Sequence, residues 1–173
     1  MITIRHAFSP EDFQQVYRLN YETFVEEIPQ HHPDPSGELI DKFHDENQYL
    51  LAFDHETLAG MIAYRDQRPF SLDQKIKELD TMLPPFQKAI ELRLLAVKKP
   101  YRNSRVTLLL LQQIAALLDD QAYDLALISG TVRQLSLYHK IGFTDFGPLV
   151  GTQDALYQPM FLTRKLVNKK LLS

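Results

Sequence analysis

Apolar positions along this chain follow two rhythms. Between residues 91 and 143, two short apolar runs, residues 92–97 and 123–128, are each followed by a segment with apolar residues at i, i+3 and i+4. A short apolar run bounded by breakers fits a buried strand, and a longer run of period 3.6 fits a helix. The stretch therefore predicts strand, helix, strand, helix, the pattern of parallel strands joined by crossover helices. The loop after the first strand, from Lys98 to Arg105, is rich in cations and hydrogen-bonding groups. Ligands of such sheets bind at the carboxyl ends of strands, where a helix N-terminus offers free N–H groups to an anion.

The same reading extends along the rest of the chain. Ile2 to Arg5 alternates and predicts an edge strand. Ser9-Pro10-Glu11-Asp12 reads as a helix start, with serine as cap, proline in the first turn and acidic residues at the positive end of the dipole. Phe13, Val16, Tyr17, Tyr21, Phe24 and Val25 then recur at helical spacing, and three prolines and a glycine between residues 29 and 37 end the helix. Residues 47–54 and 58–65 predict a hairpin around the polar turn Asp54-His55-Glu56-Thr57. Residues 70–83 read as a connection with a short helix, stopped by Pro84-Pro85. After Phe143 the pattern predicts a strand to Pro148, a loop around Gly151, a last strand near residues 160–165, and a frayed tail at Asn168-Lys169-Lys170.

Composition narrows the function classes. A chain of 173 residues with 45% apolar content suits one globular domain, residues 1–173, with a sizeable core. A formal net charge of -3 argues against nucleic acid or an anionic membrane as partner. With no cysteine there is no disulfide, thiolate metal site or cysteine nucleophile. The start lacks a signal-peptide pattern and no apolar run approaches the roughly 18 residues of a membrane span, so a cytoplasmic protein is expected. His31-His32, His44 and His55 show no H-x-x-x-H spacing, so no metal site is expected.

Two motifs carry a resemblance. Leu137-Tyr138-His139-Lys140-Ile141-Gly142-Phe143 matches the L-Y-x-K-x-G-F segment of the GNAT acyltransferase superfamily. Leu95-Ala96-Val97, followed by Tyr101 and Arg102, matches the strand entering that family's coenzyme A pyrophosphate loop, R-x-x-G-x-G. In Arg102-Asn103-Ser104-Arg105-Val106-Thr107 the arginine stays, but Arg105 and Thr107 replace both glycines, which let backbone approach a phosphate closely. Over residues 16–97 the chain is similar to the branch holding acyl-homoserine lactone synthases and long-chain N-acyl amino acid synthases. Arg18, Phe24, Asp41, Arg65, Glu91 and Arg93 match that branch's arginine, phenylalanine, aspartate, arginine, glutamate and arginine. It lacks the branch's tryptophan, His44 stands at the spacing of the second aspartate with Asp45 beside it, and the Glu91–Arg93 spacing is one residue shorter.

The resemblance implies an α/β fold of GNAT type, a mixed, mostly antiparallel sheet with helices on both faces. It implies an N-acyltransferase that moves an acyl group, acetyl or longer, from an acyl-CoA thioester to a small-molecule amine within a ternary complex, without a metal. The pantetheine arm would lie along Leu95, Ala96 and Val97, and the phosphates near Arg102, Asn103, Ser104, Arg105, Val106 and Thr107. Tyr138 would protonate the leaving thiolate; the residues alone also allow an aromatic core position on an amphipathic helix. Glu91 and Arg93 lie two apart on a strand and share one face, turned to solvent or to a cleft, with Glu91 as base or as half of a salt bridge. Asp41, with Asp45 and Glu46, suits an acceptor ammonium, or forms a solvated acidic loop. Arg18 and Arg65 suit an acceptor carboxylate, or Arg18 is simply a surface residue on an otherwise apolar helix. Relatives in this branch take fatty acyl groups from acyl carrier protein, and that donor would suit a loop without glycines. A binding module that has lost turnover is the remaining alternative.

Overall fold

The computed structural model describes residues 1–120 and 123–172. In chain order the elements are β1 (Ile2–His6), α1 (Pro10–Tyr21), a π-helical segment (Glu22–Glu27), β2 (Gln48–Asp54), β3 (Thr57–Arg65), β4 (Ala89–Val97), α2 (Val106–Asp120), β5 (Leu125–Thr131), α3 (Leu135–Ile141), β6 (Thr144–Asp145), β7 (Val150–Thr152), β8 (Ala155–Thr163) and α4 (Lys169–Leu172). Strand pairing is mixed and mostly antiparallel, as expected, with β4 and β5 the parallel pair. The chain divides into two compact units, one of residues 1–64 and 94–110 and the other of residues 65–93 and 111–173.

In the first unit, β1 pairs with β2 from Ile2↔Asp54 to His6↔Leu50, and β2 turns at His55-Glu56 into β3. Ser9 caps α1 as its sequence indicates: its hydroxyl takes the Asp12 N–H at 3.2 Å, and the Asp12 carboxylate takes the Ser9 N–H at 3.3 Å. Arg5 of β1 closes on the same carboxylate with two bonds, 2.6 and 2.8 Å. The apolar stripe of α1 enters a core with Val16, Leu19 and Phe24 against Leu51, Leu58, Met61 and Ala96. The helix does not run evenly through Phe24 and Val25, because residues 22–27 widen into a π-helix. Such bulges gather at functional sites.

In the second unit, β4 and β5 are in parallel register from Ala89↔Leu125 to Leu92↔Ile128, and β8 lies antiparallel along β5 from Thr163 to Tyr157. The strand expected at 123–128 starts at Leu125 and runs to Thr131. Asp124 serves instead to receive the N–H groups of Gln87 and Lys88, at 2.8 and 2.9 Å. Ser129, Gly130 and Thr131 extend the strand because β8 continues beside them. The late strands differ most from expectation. The strand after Phe143 has two residues, Gly151 sits in β7 rather than in a loop, and the last strand is Ala155–Thr163. Gly151 reads as a breaker, yet β7 and β8 form a hairpin that holds it at φ 103. The segment from 70 to 83 makes two 3₁₀ turns, Leu72–Gln74 and Leu79–Met82. The tail is tied rather than frayed: Asn168 donates its N–H to Ile141 at 2.8 Å and its side chain to Lys140 at 3.0 Å. Among the described residues, no helix is long and apolar enough to cross a membrane.

Candidate active site

Glu91 is the third residue of β4 and is 1% exposed. A carboxylate that deep requires partners, since an unpaired buried charge is strongly destabilising. Ser71 supplies its N–H at 2.9 Å and its hydroxyl at 2.8 Å, and Leu72 adds an N–H at 3.1 Å. Two guanidinium groups flank the same oxygen, Arg65 at 3.6 Å and Arg93 at 3.7 Å. Arg65 is itself 2% exposed and donates to the Pro69 carbonyl at 2.9 Å. The three charged residues picked from the sequence thus meet in one buried cluster in the second unit. Its floor is the turn at Ser71-Leu72, which the residue pattern gave no role. The exposed salt bridge allowed by the sequence is excluded, because Glu91 does not reach solvent.

Tyr138 is 2% exposed on α3. Its ring rests on Gly130 of β5, where an added Cβ would stand 3.0 Å from two ring atoms. Phe143 meets the ring edge-on at 5.7 Å between centroids. The hydroxyl donates to the Gln134 side chain at 3.2 Å. Burial raises the phenol's pKa above the usual tyrosine value, which favours the neutral hydroxyl. Gly142 ends α3 with φ 120, and the N–H groups of Gly142 and Phe143 both return to the Tyr138 carbonyl, at 3.2 and 3.0 Å. The motif glycine and phenylalanine therefore fix the backbone and ring of the motif tyrosine.

The first unit holds the cationic loop. Ala96 and Val97 are buried at the end of β4, and Leu95 is half-buried. Arg102, Asn103, Ser104 and Arg105 are exposed, whereas Val106 and Thr107 turn inward. The Ser104 hydroxyl donates to the Tyr101 carbonyl at 2.5 Å and accepts the Val106 N–H at 3.3 Å, at the start of α2. Arg102 donates through Nε to the Val97 carbonyl at 3.0 Å, and its two terminal nitrogens grip the Glu27 carboxylate at 2.7 and 2.5 Å. A groove of about 430 Å³ opens here, lined by Glu22, Glu26 and Glu27 on one side and Lys98, Lys99 and Arg102 on the other. The Glu27 partner lies 75 positions away in sequence, so no local pattern reveals it.

The other expected residues of this unit have their own partners. The Arg18 side chain is 63% exposed, 3.7 Å from Glu38. Phe24 is 7% exposed within the apolar core. Asp41 accepts the Phe43 N–H at 3.1 Å and the Asn47 side chain at 2.9 Å. His44, at the spacing of the branch's second aspartate, bridges the hydroxyls of Tyr17 and Tyr49, each at 3.0 Å.

A family model described as "Acetyltransferase (GNAT) domain" matches residues 19–112. The chain belongs to that family and is an N-acyltransferase. Solved structures extend the likeness of fold. The acyl-homoserine lactone synthase BjaI, with SAM and isopentyl-CoA, superposes with a TM-score of 0.79 at 20% identity, over 99% of this chain and 86% of that one. The N-acyl amino acid synthase FeeM, from uncultured soil microbes, gives 0.70 at 16% identity, over 95% and 92%. The lactone synthase LasI gives 0.73 at 15% identity, over 98% and 94%. No curated protein sequence matches the chain.

Proposed function

We propose that the protein joins an acyl group from a pantetheine thioester to a small-molecule amine in a ternary complex. The amine nitrogen attacks the thioester carbon, the tetrahedral oxyanion collapses, and the C–S bond breaks. Tyr138 gives its phenolic proton to the leaving thiolate and is reprotonated by the proton the amine loses, so the net transfer is from nitrogen to sulfur. The observation that carries this reading is the Tyr138 phenol, held between Gly130 and Phe143 within the L-Y-x-K-x-G-F segment. Leu95, Ala96 and Val97 would line the pantetheine arm, and Lys98 to Thr107 would face the phosphate end.

Glu91 is better suited to positioning than to taking a proton. Three donors and two guanidiniums already engage its oxygens. It fixes the Ser71-Leu72 turn and orients Arg65 and Arg93, while Asp41 and Arg18 remain the candidates for an acceptor's ammonium and carboxylate. The acyl-homoserine lactone synthase BjaI is CoA-dependent and FeeM is an N-acyl amino acid synthase. Both are acyl synthases by name, which supports the class of reaction. A carrier-protein donor is favoured here by the loop, whose arginine is already held by Glu27 and whose two glycine positions carry Arg105 and Thr107.

Tyr138→Phe tests the reading. Loss of an acid in the transition state is expected to lower kcat by about 10²–10⁴-fold. Donor Kd should stay within about twofold, since only the hydroxyl is removed and the ring remains. Equal turnover by the variant would remove Tyr138 from the chemistry. Donor binding by the wild type without turnover of any amine would leave the inactive binding module as the better account.

A further inference from the structure

The loop arginine that matches a phosphate-binding position already holds an anion, and that anion belongs to the chain itself. Glu27 is the last residue of the π-helical segment, and its carboxylate fills the fork of Arg102 with two short bonds. This is the bidentate geometry a phosphate would use, so the two compete for one group. Arg102 is also anchored at Nε to the Val97 carbonyl, which leaves it little freedom to meet a phosphate elsewhere. The rest of the groove repeats the balance. Glu22, Glu26 and Glu27 face Lys98, Lys99 and Arg102, so three formal negative charges offset three positive ones. A donor with several phosphates gains little from a neutralised groove, and it must also displace Glu27 and then lie beside it. A donor with one phosphodiester loses much less.

We infer that Glu27 is a specificity-determining residue that disfavours polyphosphate donors such as coenzyme A relative to a single-phosphate pantetheine, the form carried on a protein. The inference rests on the proposal that the Lys98–Thr107 loop receives the phosphate end of the donor. It requires no metal or further cofactor. The π-helix that carries Glu27 is where the helix departs from an even α-helical period, so the carboxylate's aim is set by that widening.

The experiment is calorimetric titration of the full-length chain with coenzyme A and, separately, with 4′-phosphopantetheine, in the wild type, Glu27→Gln and Glu27→Ala. Thermal melts check that each variant folds, and the second substitution serves if the first does not. Removing the carboxylate is expected to tighten coenzyme A at least tenfold and 4′-phosphopantetheine by less than threefold. Adding Arg102→Gln should abolish the gain. Equal tightening of both ligands, or no tightening of coenzyme A in a protein that binds it measurably, overturns the role of Glu27 while leaving the donor loop in place. No binding of either ligand by the wild type or by any folded variant overturns the donor loop, and the inference with it.

Discussion

At the scale of single residues, buried charge is tolerated here only where the backbone helps. Asp12 shows this outside the candidate site. It is 3% exposed, receives two bonds from Arg5 and takes the N–H groups of Phe8 and Ser9. The Arg5 contact, chiefly, draws its pKa down from 3.8 to about 2. Folding therefore favours the charged form. The stabilisation is complete above about pH 4 and is lost as pH falls through about 2. Arg5 is 40% exposed, so solvent screens the pair. Asp12→Asn is expected to lower stability at pH 7 by about 1 kcal/mol, from the ion pair and the helix cap together. It should also flatten the acid slope between pH 4 and 2. Urea unfolding of both proteins at pH 7 and across that range measures it, and an unchanged acid slope in the variant would remove Asp12 as the source. Glu91 obeys the same rule at the candidate site. Its identity was legible as a charge in an apolar strand, but its partners were not, because the donors that hold it come from Ser71 and Leu72, 20 and 19 positions away.

At the scale of elements, the segment from Leu137 to Phe143 shows how a short motif carries several tasks at once. Tyr138 supplies the hydroxyl, Phe143 braces its ring, and Gly142 turns the chain between them. Only glycine suits that turn. At φ 120 an L side chain is strained, and an added Cβ would lie 1.9 Å from the Leu166 carbonyl oxygen. Gly142→Ala is therefore expected to destabilise the protein by about 4 kcal/mol, at the upper end for single substitutions. Chemical denaturation measures the loss, and a change below about 1 kcal/mol would mean that the turn relaxes freely. The start of α1 was equally legible, since Ser9, Pro10 and Asp12 act through contacts within one turn. The late strands were not. The β7–β8 hairpin depends on pairing across Gly151, and a glycine by itself reads as a break in structure.

At the scale of the whole molecule, the charge is modestly negative while the loop cations gather in one place. Lys98, Lys99, Arg102 and Arg105 fall within eight positions of a chain whose formal net charge is -3. Glu22, Glu26 and Glu27 offset three of them, so an acylated carrier protein docking there should be steered mainly by Arg105 and weakened by salt. At about 100 times its Kd such a donor stabilises by about 2.7 kcal/mol, a rise in Tm of roughly 5–11 °C for a domain of this size. The shift should shrink as salt rises from roughly 0.05 to 0.5 M, over which the screening length falls severalfold. A salt-independent shift would argue for apolar docking instead. The sequence by itself determined the elements up to α3, the α/β class, the tyrosine candidate and the cationic loop, because caps, periods and short motifs act over a few residues. Only the tertiary structure decided what those groups are bonded to. It sealed Glu91 between a turn and two arginines, seated Tyr138 on Gly130, and put Glu27 into the fork of Arg102. Each of these joins residues far apart in the chain, and hydrogen bonds and burial between distant segments leave no periodic trace in the sequence.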